Sequence, residues 1–260
     1  MTAQIKSHSQ GQTLILTLSN PDYRNALGPD MYVAGTEALN AAESNPDVRS
    51  VIITGEGEHF CAGGNLHRLL ANRSQDPSVQ SQSLDALHTW MEALRTYPKP
   101  VIAAVEGAAA GAGFSLALMC DLIVAAENAT FVMAYATVGL SPDGGATWNL
   151  PRHLPRQLAA EIMWLGGKIP PSRLHDLGVV NRVTPKGESL NVALDLANQL
   201  NQRAPNALQS IKELIEHSTQ IPLSDQFALE QQHFVSNLFN ENGEIGIRAF
   251  LDKTKPRYLP

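Results

Sequence analysis

Two loops of small residues, each trailing an apolar run, and one carboxylate downstream are the parts of this sequence best suited to chemistry. The first loop, Phe60-Cys61-Ala62-Gly63-Gly64-Asn65-Leu66, follows Val51-Ile52-Ile53-Thr54-Gly55. The second, Gly107-Ala108-Ala109-Ala110-Gly111-Ala112-Gly113-Phe114, follows Val101-Ile102-Ala103-Ala104-Val105. The carboxylate is Asp143, within Ser141-Pro142-Asp143-Gly144-Gly145. Small residues let a ligand come close to the main chain, so backbone N–H groups become binding groups. Two such groups aimed at one carbonyl oxygen make an oxyanion hole. A carboxylate beside that carbonyl can carry a proton between neighbouring carbons. Taken singly, these features have plainer readings: glycine-rich loops are common, and Pro-Asp-Gly-Gly is a strong turn sequence. Neither loop is a nucleotide fingerprint, since Gly111-x-Gly113 lacks the third glycine and no Gly-Lys-Ser/Thr occurs.

The elements that must position these loops are legible from periodicity. Residues 13–18 read as a strand closed by the turn cluster Ser19-Asn20-Pro21-Asp22. A helix follows over 29–43, with Pro29 in its first turn. Short buried strands are expected at 51–54, 101–105 and 122–126, with a helix opened by the second loop between the last two. Leu84, Leu87, His88, Met91 and Leu94 give an amphipathic helix that places His88 on the apolar face. The polar stretch 71–83 reads as an exposed, mobile connection. Strands alternating with helices indicate an α/β core. A last strand is expected at 179–183, followed by helices over 190–201, 206–217, 223–238 and 241–253.

Composition bounds the function. A chain of 260 residues that is 43% hydrophobic can bury one large core, alone or with a small appendage. A formal charge of −6 without a basic cluster argues against nucleic acid. Cys61 and Cys120 form no Cys-x-x-Cys motif and read as buried, reduced thiols of a cytoplasmic protein. The N-terminus has no signal-peptide pattern, and no apolar run is long enough to span a membrane. The eight scattered histidines give no metal-ligand spacing.

The two loops, together with Lys99-Pro100 before the second strand, Cys120-Asp121, Arg24-Asn25-Ala26-Leu27 and Phe250-Leu251-Asp252-Lys253-Thr254-Lys255-Pro256, resemble the enoyl-CoA hydratase/isomerase (crotonase) superfamily over residues 13–256. The resemblance implies a spiral of repeated ββα units over residues 1–195, carrying the acyl-CoA site. It implies a C-terminal helical trimerisation region over 196–260, and trimers or paired trimers. It also implies an acyl-CoA thioester substrate, with coenzyme A as part of that substrate and no separate cofactor or metal. By position, the oxyanion donors are the N–H groups of Gly64 and Ala112. Arg24, Ala26, Ala62, Gly63, Asn65, Leu66, Gly111, Phe250 and Lys253 fall on the substrate-binding segments. Ala112 replaces the family's usual glycine, which is tolerable if its φ is negative. Asn65 replaces an aspartate and is expected to cap or brace the loop.

The departures point to a particular chemistry. The two glutamates with which hydratases of the family handle water fall on Ser115 and Tyr135. Asp143 falls where isomerases of the family carry a single acid, and its surroundings resemble those of the isomerases of phenylacetate degradation. One carboxylate suits a double-bond shift, in which a proton leaves one carbon and returns to another. Leu140, Pro142 and Trp148 are expected to give it apolar surroundings, and Tyr135 to hydrogen-bond it or the substrate. The alternatives are a hydratase using Asp143 alone, a dehalogenase pairing Asp143 with His88, and a non-catalytic CoA or RNA binder. His59 and His67 read as surface residues.

Overall fold

The computed structural model describes residues 3–260. Its elements, in chain order, are β1 (Gln4–Gln10), β2 (Thr13–Ser19), α1 (Pro29–Glu43), β3 (Ser50–Gly55), α2 (Leu66–Asn72), α3 (Pro77–Arg95), β4 (Val101–Val105), β5 (Ala108–Ala110), α4 (Ala112–Leu118), β6 (Leu122–Ala126) and β7 (Thr130–Val132). They continue with α5 (Ala146–His153), α6 (Arg156–Leu165), α7 (Pro171–Asp176), β8 (Arg182–Thr184), α8 (Ser189–Leu200), α9 (Pro205–Ser218), α10 (Leu223–Leu238) and α11 (Glu241–Leu251).

Strands β2, β3 and β4 are near-continuous apolar runs because both faces of the sheet are covered. The sheet runs β1-β2-β3-β4-β6-β8, parallel except for the β1–β2 pair. Alternate residues serve opposite faces. Ile15, Ile52, Ile102 and Val124 meet Ala193, Leu194 and Ala197 of α8. Leu16, Val51, Ile53, Ala103 and Val105 join the main core with Leu39 of α1 and Trp90, Met91 and Leu94 of α3. Helix α8 therefore packs on the sheet across the boundary expected at 195, and α9 to α11 follow it, with α10 packed on both α9 and α11. A second sheet pairs β5 with β7. Each of β4 and β6 is thus followed by a short strand of this second layer, and α4 follows β5, in the ββα order.

Several expectations need correction. Residues 77–83 are not a mobile connection: they are the first turns of α3, because the Asp76 carboxylate accepts from the Ser78 N–H and Pro77 starts the helix. His88 is exposed, one step round from the buried face of Leu87, Trp90, Met91 and Leu94. The last strand is Arg182–Thr184; Val179 and Val180 are buried in the turn before it. Strand β1 gives no apolar signal because it is an exposed edge, held by its ladder to β2. Helices α5 to α7 were also missed, being short, rich in proline at or near their ends, and α5 carrying Pro151 inside.

Helix α4 is pressed against the first loop at Gly113. A Cβ there would stand 2.4 Å from the Cys61 carbonyl oxygen and 2.7 Å from its Cβ. Gly113→Ala is therefore expected to lower stability by about 1–3 kcal/mol through overpacking. Gly167→Ala, at an exposed glycine with open space around it, should change stability by about 0.5 kcal/mol or less. Paired thermal denaturation scans of the two variants check this.

Candidate active site

The two loops meet through their backbones. The Phe60 N–H donates to the Glu106 carbonyl at 2.7 Å and the Cys61 N–H to the Ala108 carbonyl at 2.8 Å. In return the Ala110 N–H donates to the Cys61 carbonyl at 2.9 Å. This short parallel bridge sets Gly63 against the second loop: a Cβ on Gly63 would lie 2.7 Å from the Ala110 oxygen and 3.5 Å from the Ala112 nitrogen. Gly63 also has φ +95°, a conformation that favours glycine. Behind the bridge, the Ala108 N–H donates to His59 Nδ1 at 3.2 Å. His59 is half-buried and braces the loops, which corrects its reading as a surface residue. His67 is exposed, edge-on to Tyr23.

The N-terminal segment is laced to the first loop. The Ala62 N–H donates to the Arg24 carbonyl at 2.9 Å, and the Leu27 N–H to the Gly63 carbonyl at 2.7 Å. Arg24 and Asn25 both take left-handed φ values, 51° and 57°. The buried Asn25 amide holds that conformation by donating to the carbonyls of Glu56 and His59 at 2.9 and 2.7 Å. Ala26 is buried there while the Arg24 side chain is exposed. Asn65 caps α2, its side chain accepting from the Arg68 N–H at 3.2 Å, and Leu66 is exposed.

Neither the Gly64 nor the Ala112 N–H has an acceptor among the described residues. Ala112 opens α4, so helix geometry leaves its amide unpaired. Its φ is not positive, so the methyl is accommodated without strain. Gly111 precedes it with φ +51°, and the Tyr135 ring lies where a Gly111 side chain would project, 3.5 Å from a Cβ built there.

Tyr135 carries the link to the carboxylate. Its hydroxyl donates to Asp143 Oδ1, as one of the two expected roles required. The Ser115 hydroxyl donates to the Asp143 main-chain carbonyl at 3.0 Å. The hydroxyls of Ser115 and Tyr135 thus both tether Asp143. Burial, then the neighbouring Asp143 charge, push the Tyr135 hydroxyl well above its ordinary range, so it stays a donor. Asp143 is half-buried, but not behind the expected apolar shield: Leu140 is exposed, and Trp148 stacks under the guanidiniums of Arg152, 3.8 Å from the ring centre, and Arg95.

Other candidates are placed elsewhere. His88 lines a surface groove of about 420 Å³ with Met91, Arg95, Gly144, Gly145 and Trp148. Phe250 is exposed at the end of α11, and among the described residues neither it nor Lys253 hydrogen-bonds to a loop. Burial pushes the Cys61 thiol up to about 12, which leaves it a buried thiol rather than a nucleophile. Two groups near the site escaped the sequence reading. Tyr32 of α1 is buried within the influence of Asp143, and the Arg68 guanidinium stands beside its hydroxyl. Arg68 carried a signal, a cation one turn past the first loop, but it fits no motif.

Comparison with known proteins shows the family. The sequence profile described as enoyl-CoA hydratase/isomerase matches residues 9–259. The 2,3-dehydroadipyl-CoA hydratase of Escherichia coli (strain K12) is 34% identical over 249 residues, 96% of each chain. The 1,2-epoxyphenylacetyl-CoA isomerase of the same organism is 33% identical, covering 98% of this chain and 97% of its own. The crystal structure of an enoyl-CoA hydratase from Polaromonas sp. JS666 superposes with a TM-score of 0.97 at 65% identity, over 98% of this chain and 99% of that one. Among the described residues, no helix is long and apolar enough to cross a membrane. From its bridged loops to its C-terminal helices, the chain belongs to the enoyl-CoA hydratase/isomerase family, the crotonase-fold enzymes that act on acyl-CoA.

Proposed function

We propose that the enzyme stabilises a thioester enolate with the amides of Gly64 and Ala112 and that Asp143 carries a proton between two carbons of the acyl chain, giving a double-bond isomerase. The observation that carries this reading is the single carboxylate tethered by Tyr135 and Ser115, where water-handling glutamates are absent. Removing a proton next to a thioester moves charge onto its oxygen. A preorganised donor at that oxygen is worth about 2.7–4 kcal/mol, judged by what removing one such donor costs in other enzymes. Deprotonated Asp143 takes the proton, and the resulting carboxylic acid returns it to the far carbon of the conjugated enolate, so no net proton is gained or lost. Tyr135 keeps the carboxylate oriented. Arg24, Ala26, Ala62, Gly63, Asn65, Leu66 and Gly111 shape the channel for coenzyme A and the thioester, so remote binding energy positions the reacting carbons.

Hydration by Asp143 alone is the second reading, favoured by the hydratase names of several relatives. The same reading assigns α9 to α11 to assembly as a trimer or paired trimers. Exposed Phe234, Phe239 and Phe250 support that assignment, and the exposure of Phe250 and Lys253 suits contact with an acyl-CoA held by a neighbouring subunit.

Two results test the chemistry. Given a β,γ-enoyl-CoA, the enzyme should produce the conjugated thioester; given a trans-2-enoyl-CoA, it should release little 3-hydroxyacyl product. Rapid hydration with no isomerisation would select the second reading. Asp143→Asn should lower kcat by about 10²–10⁴-fold, the usual weight of a general acid–base, with acyl-CoA binding retained in calorimetry. Tyr135→Phe should lower kcat by about tenfold, in line with one hydrogen bond to a charged group, and leave KM nearly unchanged in steady-state assays.

A further inference from the structure

The Arg68 guanidinium makes no ion pair with any described carboxylate, whereas Arg95, Lys212 and Arg248 each have one. Its Nη1 donates to Ser83 Oγ of α3 at 2.9 Å, and its Nε is buried without any partner. On the α1 side it stands beside the buried Tyr32 hydroxyl. Burial, opposed by Arg68 and reinforced by Asp143, raises that hydroxyl to about 12, so it too remains a donor. The helix that carries Arg68 is fixed relative to the first loop. Asn65 follows the Gly64 amide and caps the turn that carries Arg68, while Leu69 lies 3.8 Å from a Cβ built on Gly64. Arg68 therefore follows the first loop by one helical turn, a rise of about 5.4 Å.

A half-buried charge left unpaired is costly, and a guanidinium's planar fork suits a carboxylate. We propose that Arg68, with Ser83 and the Tyr32 hydroxyl, forms an anion subsite beyond the thioester and that the acyl group ends in a carboxylate. This rests on the acyl-CoA reading above. It adds the substrate class: short dicarboxylic acids bound as CoA monothioesters. Tyr32 lies within the electrostatic influence of both Arg68 and Asp143, so the anion subsite adjoins the acid. The other source of such an anion is a phosphate of coenzyme A, and the test separates the two.

The experiment is calorimetric titration of the purified wild-type enzyme, Arg68→Gln and Arg68→Lys with three unreactive ligands: free CoA, hexanoyl-CoA, and the CoA monothioester of the saturated six-carbon dicarboxylic acid. Melting temperatures establish that each variant is folded. The wild type should bind the dicarboxylic thioester about 10–100-fold more tightly than hexanoyl-CoA, the usual weight of a charged hydrogen bond. Arg68→Gln should abolish or invert that ratio, and Arg68→Lys should keep part of it. Equal wild-type affinities would overturn the proposal, as would an Arg68→Gln loss shared equally by all three ligands, which would assign the guanidinium to the CoA phosphates. If Arg68→Gln does not fold, the wild-type and Arg68→Lys ratios decide. If neither thioester binds while the protein is folded, the acyl-CoA reading itself falls, a result distinct from equal binding of both.

Discussion

Three main-chain hydrogen bonds between the strand-end loops at 60–61 and 106–110 set the relation on which the site depends. They fasten the first loop to the second in register, and only small residues permit it. Gly63 approaches the Ala110 carbonyl and Gly113 the Cys61 carbonyl too closely for any side chain. Backbone donors held this way need no side-chain rotamer to be fixed before they act, so little reorganisation accompanies charge formation on a bound oxygen. The sheet explains the rigidity. Both loops issue from β3 and β4, central strands buried on both faces, so strain such as the left-handed Arg24 and Asn25 can be held by their surroundings.

The carboxylate is installed differently. Asp143 lies on a loop between β7 and α5, outside the bridged pair, and reaches the site through hydroxyls. Tyr135 packs across Gly111 and then donates to Asp143, so the glycine that shapes the second loop also seats the residue that holds the carboxylate. In the proposed mechanism this is a division of labour, a fixed backbone frame with a separately mounted proton carrier, and such a division lets one fold serve several reactions.

How much of this was legible in the sequence follows from which interactions were local. The apolar runs at 51–54, 101–105 and 122–126 and the glycine spacing disclosed the core and the loops, because buried parallel strands and close backbone approaches each leave a compositional mark. The Asn65 cap was legible for the same reason. Strand β1 was not, since an exposed edge strand needs only a partner's backbone and β2 supplies it. Helix α3 was shortened because its polar first turns hid the Asp76-Pro77 start. His59 and the Arg68–Tyr32 pair were misread or missed because their roles depend on contacts tens of residues away. That Ser115 and Tyr135 carry hydroxyls rather than carboxylates was visible, but their tethering of Asp143 required coordinates.

The most direct measurement is the vibrational spectrum of a bound enoyl-CoA carrying a ¹³C-labelled thioester carbonyl, taken as a labelled-minus-unlabelled infrared difference. If the Gly64 and Ala112 amides converge on that oxygen, as proposed, the carbonyl stretch falls well below its value in water, and the shift persists in Asp143→Asn, since the donors belong to the backbone. A bound carbonyl vibrating at its aqueous frequency would contradict the account.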